Sequence, residues 1–166
     1  MSDSIRAFLA FELPDEAKKD LAGLLHQVAN ARINGLRSVK PNNVHITLKF
    51  LGNVEADQIA SITGAVAQVS KGIRPFVVKM GGVGVYPSSK NARVLWVGLD
   101  GDVNALRDVQ SRIDGGLERV GVERESRRFS PHLTIARIRD RTSPTDRLRA
   151  TEALFSAEFN PGPSFQ

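Results

Sequence analysis

The chain has no cysteine, one tryptophan, one tyrosine and only three histidines in 166 residues. Without cysteine, disulfides, thiolate nucleophiles and every Cys-based metal site are excluded. Long apolar runs are missing too. The apolar start Ile5 to Leu13 is broken by Arg6 and Glu12, so it is too short to target or span a membrane. Met1-Ser2-Asp3-Ser4 is acidic where a secretion signal is basic. A soluble cytoplasmic protein with no membrane partner is the expectation. Compositional bias is also absent: 41% apolar and 25% charged residues sit near globular averages, which argues against a fibrous or disordered chain. The length suits one domain, or two small lobes folded as one unit, with a sizeable core.

What is present begins with charge. The net charge is +5, and its placement says more than its size. From Arg119 to Arg149 there are nine Arg against four acids, whereas the rest of the chain balances 14 Lys and Arg with 14 Asp and Glu. An excess made of Arg alone suits phosphate, because a planar guanidinium meets two oxygens at once. A solvated basic face explains the same charge equally well.

The apolar spacing predicts alternating strands and helices. Ile5 to Glu12 reads as a strand, and Pro14 opens an amphipathic helix with Ala17, Leu21, Leu24, Leu25 and Val28 inward, closed by Gly35. Val44 to Leu51 alternates strictly, with His45, Thr47 and Lys49 opposite Val44, Ile46, Leu48 and Phe50. A helix Ala56–Val69 follows, then a strand through Phe76, Val78 and Met80 and a loop or hairpin connection over Gly81–Ala92. Arg93 to Leu99 is a strand, and Asp102 caps a helix with Val103, Leu106, Val109, Ile113 and Leu117 inward. After an Arg-rich connection come a strand His132 to Ile138 and a helix from Ser143-Pro144 with Leu148, Thr151 and Phe155 on one face.

An internal repeat emerges at an offset of 87 residues, which lays Arg6-Ala7-Phe8-Leu9 on Arg93-Val94-Leu95-Trp96 and His45-Ile46-Thr47-Leu48 on His132-Leu133-Thr134-Ile135. Each half is strand, helix, strand with His-x-Thr, helix. The implied fold is α+β: one bilobal domain over residues 1–166, its halves roughly 5–71 and 93–155. Two antiparallel-type sheets, related by a pseudo-two-fold axis, would face a central cleft with helices outside.

The repeated tetrapeptide carries the chemistry. With six Thr in the chain, a Thr follows any His at the second place roughly one time in thirty by chance. Two of three His doing so is expected by accident in well under about one per cent of such chains. Positions i and i+2 of a strand point the same way, so each strand presents an imidazole beside a hydroxyl. Two facing pairs suit phosphodiester cleavage without a metal: one neutral His takes a proton from water and the other, protonated, gives one to the leaving oxygen. The hydroxyls of Thr47 and Thr134 can donate to non-bridging oxygens. Metal binding fits poorly, since no acid lies at i±2 or i±4 from either His. The third His, His26, lies off the apolar face of its helix and reads as an exposed bystander. Arg128 and Arg137 flank His132 and only Lys49 is near His45, which makes His132 the candidate base and His45 the candidate acid.

From Ile5 to about Phe155 the chain resembles the bacterial and archaeal RNA 2′,3′-cyclic phosphodiesterases, also called 2′-5′ RNA ligases, of the two-histidine phosphoesterase superfamily. The resemblance rests on Ile5-Arg6-Ala7-Phe8-Leu9-Ala10, His45 to Gly52, Gly84 to Gly98 with Tyr86-Pro87, and Phe129-Ser130-Pro131-His132-Leu133-Thr134-Ile135-Ala136-Arg137. It implies a bilobal fold, hydrolysis of a ribose 2′,3′-cyclic phosphate to a 2′-phosphomonoester, no cofactor and no metal. Catalysis falls to His45 and His132, and phosphate binding to Thr47, Thr134 and Arg137. Arg137 has the opposite parity to His132 and Thr134, so it reaches the phosphate only if the strand twists or ends there. The family pattern also continues past the last helix into a strand that closes the second lobe. Here Glu158–Gln166 carries two Pro and the sequence stops, so the sequence is truncated or that edge is open.

The expected partner is RNA or a nucleotide with a 2′,3′-cyclic phosphate terminus, bound by a monomer. Two other readings stand beside it: 2′-5′ RNA ligation as the main work of the same site, and a non-catalytic RNA-binding module of the same fold. Turnover of a 2′,3′-cyclic nucleotide separates the last from the enzyme.

Overall fold

A computed structural model describes residues 4–166, and the acidic start Met1–Asp3 discussed above lies outside them. The first helix, α1 (Asp15–Asn30), follows Pro14 and carries Asp15 and Glu16 in its first turn, where the helix dipole favours anions. Its buried residues are the five that the spacing marks: Ala17, Leu21, Leu24, Leu25 and Val28. Each large one contributes about 1.5–3 kcal/mol through burial. The remaining helices are α2 (Gln58–Ser70), α3 (Val103–Glu118) and α4 (Pro144–Phe155). Strands β1 (Ser4–Glu12), β2 (Leu36–Ser38), β3 (His45–Glu55), β4 (Val78–Tyr86), β5 (Val94–Gly101) and β6 (His132–Ile138) complete the fold.

These strands form one sheet in the order β1-β3-β6-β5-β4, with β2 also paired to β6, and every pairing is antiparallel. This corrects the expectation of two sheets facing a cleft. Ile46 pairs with Leu133 and so joins the β1–β3 ribbon to the ribbon of β4, β5 and β6. Helix side chains share one core with Ile46, Leu48, Leu133 and Ile135, on the face opposite the His-x-Thr side chains.

Three local expectations also change. Gly81–Tyr86 extends β4 instead of looping, because Gly84 lets the Trp96 ring of β5 lie against the strand, where a Cβ would collide with it. Asp102 precedes α3 but does not cap it with its side chain; its Oδ2 accepts from the Val77 N–H at 3.0 Å. Helix α4 is rotated from the face marked by Leu148, Thr151 and Phe155. Leu148 is 46% and Phe155 56% exposed, whereas Arg147, Ala150, Thr151 and Leu154 are buried. The cause is Arg147, whose guanidinium donates to the carbonyls of Ala92, Arg139, Asp140 and Thr142 and holds that face inward. At the far edge, Phe165 exchanges two backbone hydrogen bonds with Val78 at the start of β4. Among the described residues no helix is long and apolar enough to cross a membrane.

Candidate active site

Strands β3 and β6 bury their residues in the same sequence. His45 to Phe50 and His132 to Arg137 each run half-buried, buried, half-buried, buried, buried, exposed. Perfect alternation breaks at the fourth step because each strand holds a bulge there. Against β1, Thr47 pairs with Ala10 and Lys49 with Leu9, leaving Leu48 as the extra residue. Against β5, Thr134 pairs with Trp96 and Ala136 with Leu95, leaving Ile135 extra. One inserted residue exchanges the two faces for everything beyond it. Arg137 therefore returns to the face of His132 and Thr134, which removes the parity obstacle.

The same shift sends Lys49 the other way. Its ammonium is buried, paired with Asp114 of α3, and donates to the Glu123 carbonyl at 2.6 Å. Lys49 is thus not a neighbour of the His45 ring, contrary to the sequence expectation. Asp114 also accepts from the Glu125 N–H at 3.2 Å, so the buried pair ties the start of the Arg-rich connection to β3. The charged residue across from His45 is instead Glu12 of β1, its register partner on the same face.

Antiparallel order around Ile46–Leu133 sets Thr47 across from His132 and His45 across from Thr134. The two imidazoles are held alike. Nδ1 of His45 lies 2.8 Å from the Asn43 carbonyl, and Nδ1 of His132 lies 2.8 Å from the Ser130 carbonyl. A carbonyl only accepts, so each Nδ1 carries the hydrogen and each Nε2 is left for proton transfer. Aromatic rings fix the planes. Phe8 stacks on His45 at 4.9 Å between centroids and 24° between planes, and Tyr86 meets His132 edge-on at 5.2 Å. The Tyr86 hydroxyl lies 3.1 Å from Ser130 Oγ, beside the carbonyl that holds His132.

A cavity of about 480 Å³ opens on this face, and its lining includes Thr47, His132, Thr134 and Arg137, the rings of Phe50, Tyr86 and Phe129, and the charged residues Lys49, Glu125, Arg127 and Arg128. His45 stands outside that lining, against Phe8. A second cavity of about 560 Å³, lined mainly by apolar residues such as Phe11, Ile46, Leu106 and Ile113, lies on the helix side and contains none of the His or Thr of the two motifs. The Arg surplus therefore divides. Arg127, Arg128 and Arg137 reach the site, Arg147 is a core fastener, and Arg124 and Arg149 pair with acids. His26 is exposed and bonded to Asn30 of its own helix at 2.8 Å. Among the described residues no group of three or more His, Asp or Glu is placed to hold a metal ion. Sequence reasoning missed Phe8, Glu12, Phe50 and Tyr86. Phe50 was legible in principle, since the repeat offset places it at the position of Arg137.

Residues 11–96 match the family of LigT-like phosphoesterases. An RNA 2′,3′-cyclic phosphodiesterase of Methanocaldococcus jannaschii is 33% identical over 135 residues, covering 81% of this chain and 72% of that protein. The chain belongs to the LigT-like phosphoesterase family. A second relative, the RNA 2′,3′-cyclic phosphodiesterase of Methanothermobacter thermautotrophicus, is 31% identical over 90% of this chain and 78% of its own length. Solved LigT-like structures share the fold. TT0787 of Thermus thermophilus superimposes with a TM-score of 0.75 at 22% identity, covering 97% of this chain and 83% of that one. Escherichia coli LigT complexed with 3′-AMP gives 0.68 at 23% identity, with coverage of 98% and 83%.

Proposed function

We propose that this phosphoesterase hydrolyses RNA 2′,3′-cyclic phosphate ends to 2′-phosphomonoesters without a metal. The observation that carries this reading is the matched pair of imidazoles, each with Nδ1 held by a carbonyl and Nε2 free, on strands joined at Ile46–Leu133. The named activity of the two archaeal relatives supports the same substrate. His132 Nε2 takes a proton from water as its oxygen bonds to phosphorus. The bond from phosphorus to the ribose 3′ oxygen breaks, and His45 Nε2 supplies the proton to that oxygen. Arg128 and Arg137 line the same cavity as His132, whereas His45 packs against Phe8. Thr47 and Thr134 donate hydroxyl hydrogens to the non-bridging oxygens, and Arg137 adds a charge-assisted contact.

The same proposal takes the chain as one two-lobed domain, halves roughly 5–71 and 93–155, acting as a monomer in the cytoplasm. The shared offset of the two motif strands and their matching bulges support an internal duplication. The deciding experiment is incubation of RNA ending in a 2′,3′-cyclic phosphate with the protein in excess chelator, followed by assignment of the product phosphate. A 2′-phosphate is expected. A 3′-phosphate, or activity abolished by the chelator, would overturn the reading.

A further inference from the structure

Arg137 has a partner across the sheet that the hydrolytic mechanism does not use. Arg37 of β2 is its direct register partner on β6, so the two guanidinium side chains leave the same face. The neighbouring pairs, Leu36 with Ile138 and Ser38 with Ala136, alternate to the other face, where Ser38 Oγ donates to the Leu25 carbonyl of α1. Both Arg37 and Arg137 are exposed, and among the described residues neither forms an ion pair with Asp or Glu. Like charges placed directly opposite on paired strands destabilise the sheet. Bound anions reverse that effect, because each guanidinium offers a two-pronged donor to phosphate.

Position along the cleft says which anion. Along the open face of β6, His132 and Thr134 flank Leu133, the residue paired with Ile46 of β3, and Arg137 follows, paired with Arg37 of β2. Arg137 lines the 480 Å³ cavity and Arg37 does not, so Arg37 lies one step outside the reaction centre. An RNA whose terminal nucleotide occupies the cavity carries its next phosphodiester outside it.

Resting on the proposed cyclic phosphodiesterase reading, we infer that Arg37 extends the phosphate site outward from Arg137 and takes the linkage preceding the terminal nucleotide, while Arg137 stays on the reacting phosphate. The preferred substrate is then an RNA chain and not a free cyclic mononucleotide.

The test compares wild type, Arg37→Gln and Arg37→Lys on three substrates. These are a nucleoside 2′,3′-cyclic phosphate, the dinucleotide ending in the same cyclic phosphate, and that dinucleotide with a neutral methylphosphonate linkage. Arg37→Gln is expected to lose about tenfold more kcat/KM on the dinucleotide than on the mononucleotide, mainly through KM. The excess should vanish with the neutral linkage, and Arg37→Lys should recover part of it. Equal losses on all three substrates would overturn the inference by placing Arg37 on the reacting phosphate. So would an excess that survives the neutral linkage. Affinities for the 2′-phosphorylated mononucleotide and dinucleotide provide the same comparison without turnover. If wild type hydrolysed none of the substrates, the proposed function would fall while these affinities still decided the subsite.

Discussion

Ile46 of β3 and Leu133 of β6 are the one register pair joining those strands among the described residues. Both are buried, at 3% and 0% exposure, so the pair is anchored in the core. Everything chemical on the open face is indexed from it: one residue to either side lie the His and Thr of both motifs. A single apolar contact thereby brings together side chains separated by 87 residues of chain.

If the two histidines act as one acid–base unit, His45→Ala and His132→Ala should each lower kcat on a 2′,3′-cyclic nucleotide by about 10²- to 10⁴-fold. The double variant should fall little further than the worse single one. Circular dichroism should remain unchanged. His26→Ala serves as the control, since His26 bonds only within its own helix. A single variant retaining near wild-type turnover would remove that histidine from the mechanism.

The direction of proton transfer is testable with the leaving group. On a cyclic phosphodiester with a much more acidic leaving oxygen than ribose, protonation by the acid matters less. His45→Ala should therefore be partly rescued on that substrate, and His132→Ala should not. The reverse pattern would exchange their roles.

Arg137→Ala should weaken binding of the cyclic phosphate by about ten- to a hundredfold, the range of a charge-assisted contact. The bulge at Ile135 makes this prediction possible, because without it Arg137 would face the core. Unchanged KM and kcat would place Arg137 outside the phosphate site.

Lys49→Met leaves Asp114 buried beside an uncharged chain and should cost about 3–5 kcal/mol in a denaturant unfolding experiment. Adding Asp114→Leu should return much of that loss, since a well-packed apolar pair replaces a buried ion pair at little net cost. Because Lys49 also donates to the Glu123 carbonyl, the single variant should raise KM by loosening the segment that carries Arg127 and Arg128. A Lys49→Met variant as stable as wild type would show that the buried pair is dispensable.

Local spacing determined most of the elements. The heptad-like run in α1 marks all five of its buried residues, β6 has the bounds that alternation predicts, and the duplicated His-x-Thr marks the face that carries both imidazoles. These features need only neighbours in sequence, because side-chain period is a property of the backbone itself. Tertiary structure decided what depends on distant partners. Whether Arg137 faces the cleft and Lys49 the core turns on bulges, and a bulge exists only relative to the strand it pairs with. The rotation of α4 follows from four carbonyls outside that helix that Arg147 satisfies. The division of one Arg-rich stretch into site, core and surface charges likewise follows from which acids, carbonyls and cavities the folded chain brings near each guanidinium.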